Sequence, residues 1–147
     1  MFGFLKEEID NREKSVERIA YLEKKYGIVF PDILTSLYTK TNTGNIKNIL
    51  FEVDGYKYGV WSLIPINPTA KMHFEFIADD DRDERFESEI PDSFYPLAID
   101  RGGDIYYWSN DTKEVYFVIP DDMENPILIA DSIEEFFELL NNSVVEE

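Results

Sequence analysis

The chain has no cysteine and a single histidine, His73, in 147 residues. Without cysteine there is no disulfide, no thiolate metal site and no thiol nucleophile. With one histidine, a Ser–His pair or a histidine metal site would depend on His73 alone. That residue sits in Lys71-Met72-His73-Phe74 with no nucleophile signature nearby, so it reads as structural or surface-exposed. Long hydrophobic runs are also missing, and none reaches the length of a membrane span. Met1-Phe2-Gly3-Phe4-Leu5 has neither the basic start nor the apolar length of a secretion signal, and Phe2 stands where myristoylation needs glycine. The expected location is the cytoplasm. Basic residues are scarce: 14 Lys and Arg face 31 Asp and Glu, a net charge of −17. Residues 1–30 hold six of each sign, which leaves eight bases against 25 acids after Phe30. Such a surface repels nucleic acid and anionic membranes. It attracts basic proteins, or it serves solubility alone.

What the chain does have is core-forming material. A hydrophobic content of 44%, with 15% aromatics, outweighs 31% charged residues and argues for one folded domain over residues 1–147. Residues 10–26 read as a helix with an apolar stripe of Ile9, Val16, Ile19, Leu22 and Tyr26, a cap at Asp10 with Glu13, and Gly27 as its C-terminal stop. Pro31 opens a short second helix that buries Ile33, Leu34, Leu37 and Tyr38 and ends near Thr41. Asp54-Gly55 between Ile49–Val53 and Tyr56–Leu63 is a hairpin signal. Residues 70–78 read as either a strand or a short helix, and residues 79–89 as an acidic solvated loop or frayed helix. Tyr95–Ile99, Ile105–Ser109 and Glu114–Ile119 read as strands, with turns at Arg101–Asp104 and Asn110–Thr112. Asp131, with Glu134, caps a last helix whose Ile133, Phe136, Phe137 and Leu140 share one face. The fold class is therefore α+β, a mostly antiparallel sheet with two N-terminal helices and a C-terminal helix packed on it.

No motif points to catalysis. Asp79, Asp81 and Asp83 match positions 1, 3 and 5 of a calcium loop, but Glu84 replaces the glycine at position 6 and Ile90 the bidentate acid at position 12. Gly102-Gly103 is flanked by Asp100 and Asp104 and followed by a strand, so it is a turn and no phosphate cradle. Carboxylate pairs carry no information among 31 acids. No enzyme activity, cofactor or metal is expected. On β-strand alternation, Ile105 and Tyr107 face one way and Tyr106 and Trp108 the other. One set belongs to the core; the other either packs under a loop or stands on an open face as interface anchors.

The run Pro96–Asp104 (PLAIDRGGD), the aromatic pair of strands that follows, and Ile129–Leu140 (IADSIEEFFELL) resemble the C-terminal half of the SUKH superfamily. Upstream, IAYLEKKYGIVFPDILTSLYTKTNTG resembles that superfamily's opening helices. The turn Asn42-Thr43-Gly44-Asn45 departs from the usual Asn-Gly-Gly, and residues 64–92 have no counterpart. The superfamily contains fungal cell-wall assembly regulators and bacterial toxin immunity proteins. The resemblance implies a binding protein: an immunity protein that occludes a basic, nuclease-type toxin, or else an interaction domain of the regulator type. The expected partner is a protein, not nucleic acid or membrane. Its expected contacts are steering charges at Asp79, Asp80, Asp81, Asp83 and Glu84, and aromatic anchors at Tyr106, Trp108 and Tyr116.

Overall fold

Two glycine-dependent turns and one proline set the chain's course. In the computed structural model, which describes residues 2–83 and 89–145, α1 (Arg12–Tyr26) stops at Gly27, whose φ of 67° lets its N–H reach the Glu23 carbonyl. Helix α1 buries only part of the expected stripe, with Tyr26 partly buried against the core. Ile19 and Leu22 are buried with Ser15, while Val16 and Ile9 stay 52% and 42% exposed. Ser15 is tolerated inside because its hydroxyl donates to the Tyr38 carbonyl, while the Asn11 amide donates to its Oγ at 2.9 Å. Pro31 precedes α2 (Asp32–Tyr38), which buries Leu34, Leu37 and Tyr38.

Six antiparallel strands follow in simple meander order: β1 (Asn45–Val53), β2 (Tyr56–Leu63), β3 (Phe94–Ile99), β4 (Ile105–Ser109), β5 (Val115–Val118) and β6 (Ile127–Ala130). At the β1–β2 turn, Asp54 and Gly55 take φ of 51° and 85°, the pair of positive values a two-residue hairpin needs. β2 and β3 share only two pairs, Ser62↔Ile99 and Leu63↔Ala98. The chain then leaves the sheet, and α3 (Phe74–Asp81) fills the space beside the first half of β3. The Phe74 ring stacks on Tyr95 at 5.8 Å. Arg82 closes the remaining edge of β3 by donating to the carbonyls of Ala78, Asp92 and Phe94, with its guanidinium 4.1 Å from the Tyr95 ring centroid. Of the two readings of residues 70–78, the helix is therefore the one adopted, shifted toward the acids.

β6 was not anticipated; Ile127–Ala130 pairs with β5 and leads straight into α4 (Ile133–Asn141). The cap of α4 lies one residue later than expected. Ser132 Oγ accepts from Glu135 N at 3.0 Å, and Glu135 reaches back to the Asp131 N–H at 3.2 Å. The α4 side chains Ile133, Phe136, Phe137 and Leu140 join residues of α1, α2 and the inner sheet face in one large core. A smaller cluster of Ile90, Phe94, Tyr107 and Val118 covers the opposite face.

Residues 4–5 and 143–145 lie along the outer edge of β1. Leu5 bridges Ile46 and Val144 bridges Ile49, with Lys47 N donating to the Phe4 carbonyl and Val145 N to that of Asn48.

Candidate partner-binding surface

The acidic stretch after Ala78 begins as the last turn of α3, not as a loose loop. His73 caps that helix, its Nδ1 accepting from Phe76 N at 3.4 Å, and burial together with the Arg18 charge holds the imidazole below its ordinary pKa. Glu75 then receives Arg18 at 2.6 Å, Lys25 at 2.7 Å and the Tyr21 hydroxyl at 2.5 Å. Burial alone would raise this carboxyl, but hydrogen bonds from Lys25, Tyr21 and Arg18 outweigh it and hold the pKa down to about 2. Asp79 is likewise engaged, with Lys25 at 2.8 Å and the Tyr26 hydroxyl at 2.6 Å. These contacts fasten α1 to α3 and pair one of the expected steering charges, Asp79.

Asp81 turns the other way. It accepts from the Tyr107 hydroxyl at 2.8 Å, and burial pushes its pKa up to about 6 even though that hydrogen bond opposes the rise. Asp80 is exposed and Asp83 half-buried. Glu84 lies outside the described residues. Of the expected steering charges, Asp79 is thus paired across to α1 and Asp81 faces the outer cluster.

Two of the expected anchors are corrected as well. Tyr106 and Trp108 are both 0% exposed. Tyr106 packs against Phe117 and Phe136 and donates its hydroxyl to the Gly59 carbonyl at 2.8 Å, while Trp108 packs against Phe30 and Tyr95. Alternation correctly separates them from Tyr107, but the face they share is the main core, and the opposite face carries its own cover. Tyr116 is half-buried, stacked on Phe94 at 5.0 Å, with its hydroxyl on Glu114. The rings that do reach solvent are Tyr56, 71% exposed, and Trp61, 60% exposed, with Phe76 and Tyr21 near one half. Tyr56 follows directly on the Asp54-Gly55 turn, and that position at a hairpin tip was a usable signal for its exposure.

A second acidic group gathers at one end of the sheet. In the β3–β4 turn, Asp100 Oδ1 accepts from Gly102 N and Asp104 N, each at 2.9 Å, while Gly103 takes a φ of 90°. Val118 pairs with Ile105, so the short helical turn Pro120–Asp122 comes up beside Asp104. Partial burial and the neighbouring charges of Asp100 and Asp121 raise the Asp104 pKa. The Tyr106–Gly59 hydrogen bond pins the β1–β2 hairpin to the same end, and there burial and the Asp54 charge raise the Tyr58 hydroxyl. Asp54, Asp100, Asp104 and Asp121 thus lie at one end of the sheet, where Tyr56 and Ile119 are also exposed, and none of the four forms an ion pair among the described residues. Their spread suits a broad field better than chelation. Among the described residues no group of three or more His, Asp or Glu is placed to hold a metal ion.

No helix among the described residues is long and apolar enough to cross a membrane. Comparison with curated proteins finds no match. The family model for SMI1 / KNR4 (SUKH-1) does match, over residues 15–139. That range runs from the buried Ser15 of α1 through the whole meander to α4, and the chain belongs to the SMI1 / KNR4 family (SUKH-1).

Proposed function

We propose that this domain is an immunity protein that neutralises a basic, nuclease-type toxin domain by binding it directly. One observation carries the reading. The carboxylates at the sheet end stand without cationic partners among the described residues, in a chain where 25 acids face eight bases after Phe30. A toxin that grips phosphates presents the complementary charge, and electrostatic steering acts chiefly on the rate of encounter. Exposed Tyr56, two residues from Asp54, supplies apolar area next to one of these carboxylates, and its truncation to alanine should speed dissociation. Asp80 adds an exposed carboxylate on the α3 side. Catalysis has no part in this reading: the protein acts by covering its partner.

The test begins with the neighbouring reading frame. Its product should kill cells when expressed alone and spare them when this protein is present. With the purified pair, the variant Asp54→Asn, Asp104→Lys, Asp121→Lys should slow association about tenfold or more at low salt, and much less at high salt. Asp100 is left intact because its carboxylate holds the turn, and Asp54 becomes Asn because it sits at positive φ. Association rates unchanged at every salt concentration would refute capture through the acidic end. Tight binding of a basic partner that is not toxic would instead favour an interaction domain of the regulator type.

A further inference from the structure

The same acidic chain contains one basic recess. A groove of about 630 Å³ runs across the β1–β2 side of the sheet, and Lys6, Lys47 and Arg101 all line it together with Trp61. The three cations come from separate parts of the chain: the N-terminal segment, β1 and the β3–β4 turn. Arg18, Lys25 and Arg82 are held in pairs or over rings, whereas other cations, such as Lys24, Lys57 and Lys71, stand free on the surface; among the described residues, only in this groove do three free cations share one recess with an exposed tryptophan. The side chains of Lys6, Lys47 and Arg101, all exposed, make no hydrogen bond, ion pair or ring contact among the described residues. Of the carboxylates next to these cations in sequence, Asp100 is turned into its own loop by two backbone N–H groups, and Glu7, beside Lys6, does not line the groove.

The backbone explains why the recess exists. β1 pairs with β2 at Asn45↔Ser62 and next at Ile49↔Val60, so the residues between bulge away and open the sheet there. Val60 stays 4% exposed on the core side, while Trp61 next to it stands 60% exposed in the opening. An exposed tryptophan ringed by unpaired Lys and Arg is the composition of a binding hot spot, and the guanidinium fork matches a carboxylate.

We propose that this groove is a second binding site, opposite in polarity to the acidic end, for a carboxylate-bearing stretch of partner polypeptide with an apolar residue over Trp61. A polypeptide fits better than a polynucleotide because the groove is local. A long polyanion would run on against Asp100, Asp104 and Asp121, whereas a short acidic segment meets only the three cations. A lone inorganic anion brings no apolar group to cover the ring of Trp61. The site stands independently of the toxin reading, since it depends on the partner's acidic segment and not on its activity.

Trp61 provides the readout, because the other tryptophan, Trp108, is 0% exposed and shielded from quenchers in solution. At low ionic strength, iodide should quench the exposed fluorescence at least about twofold more strongly than caesium, although the net charge of −17 favours the cation. Trp61→Phe should abolish the quenchable fraction. The order should reverse in Lys6→Glu, Lys47→Glu, Arg101→Glu, whose melting temperature serves as the folding control. A Glu-Leu-Glu-Leu-Glu peptide should then shield Trp61 from iodide, where its Gln-for-Glu counterpart and inorganic phosphate at equal charge do not. Caesium quenching equal to or stronger than iodide would overturn the proposal, as would equal shielding by phosphate. Shielding that appears only after deletion of Glu146 and Glu147 would assign the groove to the chain's own end and overturn it too.

Discussion

Asp81 is held in a place that disfavours its charge, and the consequence for stability can be worked out. The carboxylate sits half-buried at the end of α3, bonded to the Tyr107 hydroxyl, with a pKa pushed up to about 6. In the unfolded chain it titrates near the ordinary value of about 3.9. Because the folded value is the higher one, the folded state binds the proton more tightly. Asp81 therefore favours folding at about pH 4 and below, and loses that contribution as pH rises through about 6. A gap of about two pH units corresponds to roughly 2–3 kcal/mol, reduced somewhat by the part of the group that solvent reaches. Asp81→Asn removes the charge and keeps an oxygen to accept from Tyr107. At pH 7.5 the variant should be more stable than the parent by about 2 kcal/mol, and the difference should shrink toward zero by about pH 4. Urea denaturation of both proteins at intervals between pH 4 and 8 measures this. Subtracting one curve from the other cancels Asp104 and the other carboxyls that titrate in the same range. An Asn variant no more stable at pH 7.5, with an unchanged pH slope, would show that burial does not disfavour the Asp81 charge.

Two further outcomes test the packing. Phe136 is 0% exposed in contact with Tyr106 and Phe51, so Phe136→Ala should cost about 3–5 kcal/mol, measured as a lower urea midpoint at unchanged slope. Gly44 has a φ of 75°, and a Cβ there would lie 2.5 Å from the Leu63 carbonyl oxygen, whereas Gly55, at φ of 85°, has open space around it. Gly44→Ala should therefore cost well over the roughly 1 kcal/mol expected for Gly55→Ala, and equal melting temperatures for the two would disprove the close approach.

The sequence makes the local devices legible and the global ones much less so. Gly27, Pro31, the Asp54-Gly55 hairpin and the apolar face of α4 each act over a few residues, and each is found as expected. Ser15 replaces Val16 on the buried face of α1 because a hydroxyl partner waits on α2, which no periodicity can show. β6 is four residues long and runs into α4 after a two-residue break, so its apolar character merges with the helix that follows. The binding surface is the hardest part to read. Strand alternation separates Tyr106 and Trp108 from Tyr107, but which face is open depends on Ile90 and Phe94 arriving from elsewhere. Likewise, Asp79 looks free in sequence because its neutralising partner, Lys25, belongs to another helix. Asp54, Asp100, Asp104 and Asp121 are dispersed along the chain and converge only through the strand register.

The pairing of residues 4–5 and 143–145 with β1 has a practical side. Phe4 and Val145 hydrogen-bond to adjacent residues of one strand, Lys47 and Asn48, so the polypeptide forms a nearly closed ring without a covalent joint. A short linker from Val145 to Phe4 should be tolerated, with a break placed in the exposed Asp111–Lys113 turn. Such a circular permutant would keep every strand of the meander in place. The docked segments also occupy part of the outer β1 edge, so of the two margins of the sheet, β6 is the one with no strand segment paired on its outer side among the described residues.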